Sequence, residues 1–355
     1  MIYRAYRYPF AQPVGTSRGV LTDRPVFVLE AEGTGFRAEL APLPGLSLET
    51  LRPDWNLLFR QALDRVCRLG LESALAEIDS YRVEFPSIAL GLEALHAQRN
   101  SGVPGKLFDS PYFDGSAGIS INGLVWMGTP QEEQERATAL VERGFGCLKF
   151  KIGADYFERA APLLRSIRAQ FPEVEIRVDA NGAFDGDTAL QAVRDLAELG
   201  GVHSIEQPLP VSASEADWQR LIEKSPIPVA LDESLIGRNP SDSIEWLRRL
   251  EPAFLVLKPS LLGGFERCEH WMNAADTLGI GYWCTSMLEG PLGLDAIAQF
   301  AAAKVLGRQG NAGLQGLGTG SIFRPEQQPA LNFEHRIKAG ALWRSALIFE
   351  EKGRG

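Results

Sequence analysis

The chain has only four cysteines in 355 residues, Cys67, Cys147, Cys268 and Cys284, and no two of them form a C-x-x-C pair. That scatter excludes a zinc-ribbon spacing and argues against a disulfide framework; it suits a reducing cytoplasm. The four histidines are isolated and make no H-E-x-x-H, so no histidine is assigned to chemistry. No G-x-G-x-x-G follows an early strand-like run, which weakens a dinucleotide-binding reading. No stretch reaches the run of about 18 apolar residues that a membrane span needs, and the opening "MIYRAYRYPF" lacks the apolar segment of a signal peptide. Positive charge is in the minority: the formal net charge is −9, which argues against a nucleic-acid or anionic-membrane partner. What is present is ordinary for a globular chain, 45% hydrophobic and 23% charged, and long enough for one large barrel with an appendage.

From about residue 117, short apolar runs alternate with amphipathic stretches. The expected strands are "GISINGLV" (118–125), "CLKFKI" (147–152), "EIRVDAN" (175–181), "VHSIEQP" (202–208), "PVALDES" (228–234), "AFLVLKPS" (253–260), "GYWCTS" (281–286) and "AGLQGLG" (312–318). Segments such as "PQEEQERATALVERGF" and "GDTALQAVRDLAELG" carry apolar residues at helical spacing. Lys151, Asp179, Glu206, Asp232, Lys258 and Thr285 follow one another at intervals of 26 to 28 residues. A strand, a helix and two turns occupy roughly 30 residues, so the beat predicts an α/β fold, a (β/α)₈ barrel or a variant. An open doubly wound sheet has the same periodicity and stays as an alternative. Residues 1–115 lack the beat; "RPVFVLEAEGTGFRAELAP" predicts a hairpin turning at Gly33–Gly35, and 55–99 is helix-rich. The expected division is an α+β layer over 1–115 plus about 321–355, and a barrel over 116–320.

Two lysines one residue apart, Lys149 and Lys151, share one face of a strand while Leu148, Phe150 and Ile152 take the other. Two ammonium groups on one face of a buried strand repel each other, unless carboxylates compensate. Asp179, Glu206 and Asp232 each close an apolar run, in "VDAN", "IEQP" and "LDES". One such acid commonly serves a turn or a helix cap. Three on consecutive strands converge at the mouth of a barrel, and a divalent cation relieves their repulsion. An all-carboxylate set without histidine or cysteine favours Mg²⁺ or Mn²⁺ over Zn²⁺. Lys258, in "LKPS", places another amine on the far flank. A cation-rich surrounding depresses a lysine pKa and makes a general base.

"KFK", "VDAN", "IEQP", "LDES" and "LKPS", in this order and spacing, resemble the muconate-lactonizing subgroup of the enolase superfamily across nearly the whole chain. The resemblance implies a modified TIM barrel, (β/α)₇β, with an α+β capping domain. It implies Mg²⁺ on Asp179, Glu206 and Asp232, with Lys151 and Lys258 on opposite faces of a small carboxylate substrate. That superfamily pairs a lysine or histidine base with Mg²⁺ to stabilise an enediolate, a pairing supplied by the resemblance and not by the spacing. Within the subgroup, "TSMLEGPLGLDAIAQFAA" (285–302), "GTSRGVL" (15–21) and "SINGLV" (120–125) are similar to o-succinylbenzoate synthases. The family reaction, a step of menaquinone biosynthesis, is syn-dehydration of 2-succinyl-6-hydroxy-2,4-cyclohexadiene-1-carboxylate. N-acylamino acid racemases and dipeptide epimerases share the acids and lysines and form the alternative. Dipeptide epimerases typically carry Asp-x-Asp near the eighth strand, where "GLQGLGTGSIF" (313–323) has no acid.

Further candidates carry two readings each. Asn181 and Glu233 are either hydrogen-bonding supports of the ligands or plain turn residues. Arg177 shares the face of Asp179 and is expected to pair with a ligand carboxylate. Ser17 and Arg18 lie in a Gly-flanked loop that either closes over the mouth or is an exposed turn. Ser286 and Glu289 either contact substrate or form a helix N-cap with its acidic N3 partner. By the resemblance, Lys149 keeps the local field positive.

Overall fold

In the computed structural model, which describes residues 1–16, 19–319, 322–323, 334–338 and 342–346, the chain opens with two long strands. β1 (Ile2–Thr16) and β2 (Gly19–Ala31) pair antiparallel with a register shift between Pro9 and Val14, and β3 (Phe36–Leu40) adds to β2. The expected hairpin is the β2–β3 connection, where Gly33 and Gly35 take φ of 75° and 78° without a Cβ penalty. β1 lies outside the elements read from the sequence. Its start, "IYRAYRYPF", mixes tyrosine and arginine, both amphipathic, so period-two contrast is weak. Helices Trp55–Ala76, Ile78–Glu84 and Pro86–Ser101 follow. They bury Phe59, Leu63, Ile88 and Leu92 against Phe27, Leu29 and Leu40 of the sheet.

The alternating region then builds a parallel barrel. After the short β4 (Ile119–Ser120), its strands are β5 (Gly123–Val125), β6 (Cys147–Lys151), β7 (Glu175–Asp179), β8 (Val202–Glu206), β9 (Val229–Leu231), β10 (Phe254–Leu257) and β11 (Gly281–Cys284). β5 to β11 are neighbours in that order, all parallel. Helices between them are set by ordinary end signals: Pro130–Glu142 starts with a Thr129–Glu132 capping box, and Gly186–Leu199 starts at Asp185 and stops at Gly200. The run 118–125 is not one strand; it divides at Ile121–Asn122. The run 312–318 forms no ladder. Single parallel bridges, Tyr282 to Asn311, Thr285 to Gly316 and Ile121 to Gln315, close the barrel instead. Asn122 N donates to Gln315 O at 3.1 Å, and Gly316 N to Cys284 O at 2.8 Å.

Ile322 and Phe323 return to β1: Ala11 N donates to Ile322 O at 2.7 Å, and the Phe10 and Phe323 rings stack 5.0 Å apart. β12 (Glu334–Lys338) and β13 (Leu342–Ala346) form a hairpin paired with β4. The division into a capping layer and a barrel at about residues 116 and 321 is our proposal; most of 321–355 lies outside the described residues. Among the described residues no helix is long and apolar enough to cross a membrane. Cys147, Cys268 and Cys284 are buried, Cys67 is partly so, and all four are free.

Buried charges fasten the first layer to the barrel. Arg24, fully buried, donates to the carbonyls of Ala41, Pro42 and Leu288. Glu39 accepts from Gly290 N at 2.5 Å and Gly293 N at 3.1 Å, at the start of helix Pro291–Phe300. Within the first layer itself, Glu49 accepts from Ser87 N at 3.2 Å and Ser87 Oγ at 2.5 Å. Burial pushes the Glu49 carboxyl up from 4.5 to about 7, against the Ser87 hydrogen bonds. A folded-state pKa above the unfolded one favours the fold fully below about 4.5, and that contribution is lost as pH rises through 7. Glu49→Gln keeps one accepting oxygen and removes the ionisation. The expected result is a stability gain of about 1–3 kcal/mol at about pH 8 that shrinks toward zero near about pH 4. Denaturant unfolding at both pH values checks it; an equal effect at both would contradict it.

Candidate metal centre and active site

Side chains at the C-terminal ends of parallel barrel strands point to a common mouth. Asp179 ends β7, Glu206 ends β8 and Asp232 follows β9; all three are buried, and one oxygen of each lies within 4.8 Å of the others. β6 sends Lys149 and Lys151 to the same space, while Leu148, Phe150 and Ile152 enter the core between sheet and helices. Lys258 follows β10, four strands from β6 around the barrel. The amines do not stand alone. Lys149 Nζ lies 3.1 Å from Asp179 Oδ2 and donates to Glu206 Oε2; Lys258 Nζ donates to Asp232 Oδ2. Lys151 differs: it donates to Asn181 Oδ1 at 2.8 Å and stays 3.8 Å from Asp179.

The charges set one another. Burial pulls Lys149 down, but Asp179, Glu206 and Asp232 outweigh it and leave the pKa raised. Lys258 is likewise raised, since Asp232, Glu233 and Asp179 overcome its burial. Lys151 is lowered, by burial first and then by Lys149 and Lys258, with Asp179 opposing. Burial works to raise Asp179, yet Lys149, Lys151 and Lys258 hold it below the usual carboxylate range. Glu206 is raised by burial, with Asp179 adding to the shift. Asp232 is pushed up to about 7 by burial and by Glu233, Asp179 and Glu206, against Lys258. Lysines therefore balance the acids only in part.

A divalent cation fits this set. The donors are all carboxylate oxygens, as hard cations require. Glu206 Oε1 is buried with no hydrogen-bond partner among the described residues, a cost that coordination removes. Burial first, and then the neighbouring acids, also leave two of the three holding their protons too tightly, which a cation reverses.

Asn181 and Glu233 join this group. Asn181 Nδ2 donates to Glu233 Oε1 at 2.9 Å, and its backbone N donates to Asp179 Oδ1 at 3.1 Å. Asn181 sits at φ 44°, a left-handed conformation that asparagine tolerates better than most residues. Arg177 departs from expectation. It bonds no ligand carboxylate; Nη1 donates to Leu314 O at 2.9 Å, and the guanidinium lies 4.6 Å from the Trp283 ring. Sharing a strand face fixes direction into the barrel and leaves height open. Two residues are about 6.6 Å of strand, so Arg177 lies below the ligand carboxylates, against Trp283.

Ser286 and Glu289 are not an N-cap pair, because the helix starts at Pro291 with Gly290 as its cap. Ser286 Oγ donates to Glu289 Oε2 at 2.8 Å, and Glu289 also accepts from Met287 N and Ser260 Oγ. Glu289 thus ties down a turn, while Ser286 lines the pocket. Ser17 and Arg18 lie outside the described residues.

The pocket's remaining wall was only partly legible in the sequence: Leu21, Asn122, Met287 and Leu288 fall in the runs 15–21, 120–125 and 285–302, but none of them was given a role. The capping layer contributes Leu21, Leu43, Pro44 and Leu46, and the barrel adds Asn122, Trp126, Met287, Leu288 and Thr319. Leu43 to Leu46 lie in an irregular segment without periodicity, so no pattern marks them. Gly316 and Gly318 line it as well; a Cβ on Gly316 would collide with Thr285, and one on Gly318 would sit 2.9 Å from Asn122 O.

A capped (β/α)₇β barrel with a carboxylate triad at its mouth and lysines on both sides defines a class of metal-assisted barrel enzymes. Residues 132–307 match the family described as enolase C-terminal domain-like. The o-succinylbenzoate synthase of Desulfotalea psychrophila is 38% identical, over 90% of this chain and 93% of that protein. The crystal structure of MenC from Desulfotalea psychrophila superposes with a TM-score of 0.74 at 33% identity, covering 97% of this chain and 98% of that one. The muconate lactonizing enzyme of Pseudomonas fluorescens, complexed with muconolactone, shares the fold at a TM-score of 0.78 and 21% identity, covering 96% and 92%. The chain belongs to the enolase superfamily and, within it, to the family of o-succinylbenzoate synthases.

Divalent cations should stabilise the folded chain. At about a hundredfold over its Kd, Mn²⁺ is expected to add about 2.7 kcal/mol. Asp179→Asn, Glu206→Gln and Asp232→Asn should each abolish the Mn²⁺-dependent rise in Tm, whatever they do without metal. A rise that survives all three substitutions would place the cation elsewhere.

Proposed function

We propose that the protein is a Mg²⁺-dependent lyase that dehydrates 2-succinyl-6-hydroxy-2,4-cyclohexadiene-1-carboxylate to o-succinylbenzoate, in menaquinone biosynthesis. Mn²⁺ is a workable substitute by the chemistry of the ligands. The observation that carries this reading is the triad flanked by lysines from opposite sides of the barrel, in a chain 38% identical to an o-succinylbenzoate synthase. Asp179, Glu206 and Asp232 would hold the cation. When bound, it supplies positive charge beside a substrate carboxylate and lowers the cost of removing the adjacent C–H proton.

Lys151 is the base in this reading. It alone of the three amines is held by a neutral partner, Asn181, and its lowered pKa favours the free amine. Its Nζ takes the proton from the ring carbon that bears the carboxylate. The resulting ammonium then gives a proton to the departing hydroxyl on the same face, so that water leaves and the ring becomes aromatic. Lys258 remains protonated and faces the ring from the other side as a cation. Lys149 stays charged between Asp179 and Glu206 and lowers the pKa of both, although burial still leaves Glu206 raised. Leu21, Leu43, Leu46 and Leu288 exclude water from the apolar part of the substrate. The net negative charge, the free cysteines and the family together support a cytoplasmic enzyme of a small carboxylate, with no nucleic-acid or membrane partner.

The test is direct turnover of the cyclohexadiene substrate with Mg²⁺, followed by the absorbance of the aromatic product. Lys151→Ala should lower kcat by about 10²–10⁴-fold. Lys258→Ala should also impair turnover, without being needed for proton transfer. An isomerase of the same subgroup instead needs both lysines to exchange protons. No dehydration, with deuterium entering the α-carbon of an N-succinyl amino acid in a manner that requires both lysines, would overturn the assignment.

A further inference from the structure

Gln207 follows Glu206 at the end of β8 and is fully buried. Its φ is 40°, a left-handed backbone that costs a residue other than glycine on the order of 1 kcal/mol. Its side chain spends every hydrogen-bonding function on neighbouring strand ends. Oε1 accepts from Asp232 N and Ser234 N, each at 3.1 Å. Nε2 donates to Leu209 O at 2.9 Å and to Ser234 Oγ at 2.8 Å. Its backbone carbonyl accepts from Gly182 N at 2.6 Å, and its N donates to Ala230 O at 2.9 Å. One residue thus adjoins Glu206, grips the amide of Asp232 and holds the turn three positions past Asp179.

We infer that Gln207 is a positioning residue of the cation site, fixing the separation of Glu206 and Asp232 by bonding the Asp232 amide. The inference rests on reading the triad as that site. A second buried glutamine separates this role from general support of the barrel. Gln315 is equally buried; its Oε1 accepts from Cys284 N at 2.7 Å, and its Nε2 donates to Gly313 O at 2.8 Å and Asn311 Oδ1 at 3.0 Å. It makes the same kind of staple at the barrel seam and bonds none of the three acids.

The experiment compares Gln207→Asn and Gln315→Asn in the full chain. Asparagine tolerates the backbone of position 207 while its shorter stem withdraws the carboxamide from Asp232 and Ser234. Mn²⁺ affinity is read by calorimetry without substrate, below the Tm of every variant, alongside metal-free Tm. Gln207→Asn should raise the Mn²⁺ Kd by about 10–100-fold, and Gln315→Asn should lower Tm with Kd within about twofold of wild type. A shift under about fivefold in Gln207→Asn, or equal shifts in both variants, overturns the inference. Absence of Mn²⁺ binding in the wild type and in Gln315→Asn overturns the triad reading itself, and the inference with it. If Gln207→Asn yields no folded protein, Ser234→Ala carries the same decision by removing one acceptor of Nε2. A Kd raised more than about twofold there supports the role, and an unchanged one overturns it.

Discussion

Three carboxyl groups held within a few ångströms of one another in a buried space repel, and much of the barrel mouth is arranged around that repulsion. Lys149 and Lys258 bond the acids directly, yet burial still raises Glu206 and Asp232, and only Asp179 is held low by the surrounding lysines. Lys151 is left to a neutral amide. This asymmetry matters chemically, because an amine locked in an ion pair is a poor base. The same crowding explains why cations are concentrated in a chain that is acidic overall. They are local compensation, placed on strands immediately before and after the acids.

Much of this could be read from the sequence because strands have a period of two and barrel units have a near-constant length. Those regularities put Lys149 and Lys151 on one face and carried Asp179, Glu206, Asp232 and Lys258 to one rim. They fail where position depends on more than periodicity. Arg177 illustrates it: its face was correct, but its level was one layer too low to meet a ligand. Ser286 and Glu289 fitted a capping spacing, yet the helix begins two residues beyond Glu289, where proline can take the first turn. β1 was hidden by residues that are apolar along their stems and polar at their tips. Gln207 lay inside the quoted "IEQP" but was given no role, since a buried glutamine looks like any surface glutamine until its partners are known.

The capping layer and the barrel are joined by buried polar contacts as well as by apolar packing. Arg24 reaches the carbonyl of Leu288, and Glu39 receives the amides of Gly290 and Gly293. The turn between these points carries Met287 and Leu288 into the pocket wall. The shape of that wall is therefore set partly by side chains that never touch its contents. Substitutions in the first hundred residues can alter a site whose chemistry lies entirely in the barrel.

Gly316 and Gly318 give the pocket one side made of bare peptide. Neither position accepts even a methyl group without displacing Thr285 or pressing on Asn122. Substitutions that reshape the pocket meet less resistance on the side lined by Leu21, Leu43 and Leu46. The roof over the carboxylate and lysine cluster can therefore be reshaped while the bare-peptide side stays as it is.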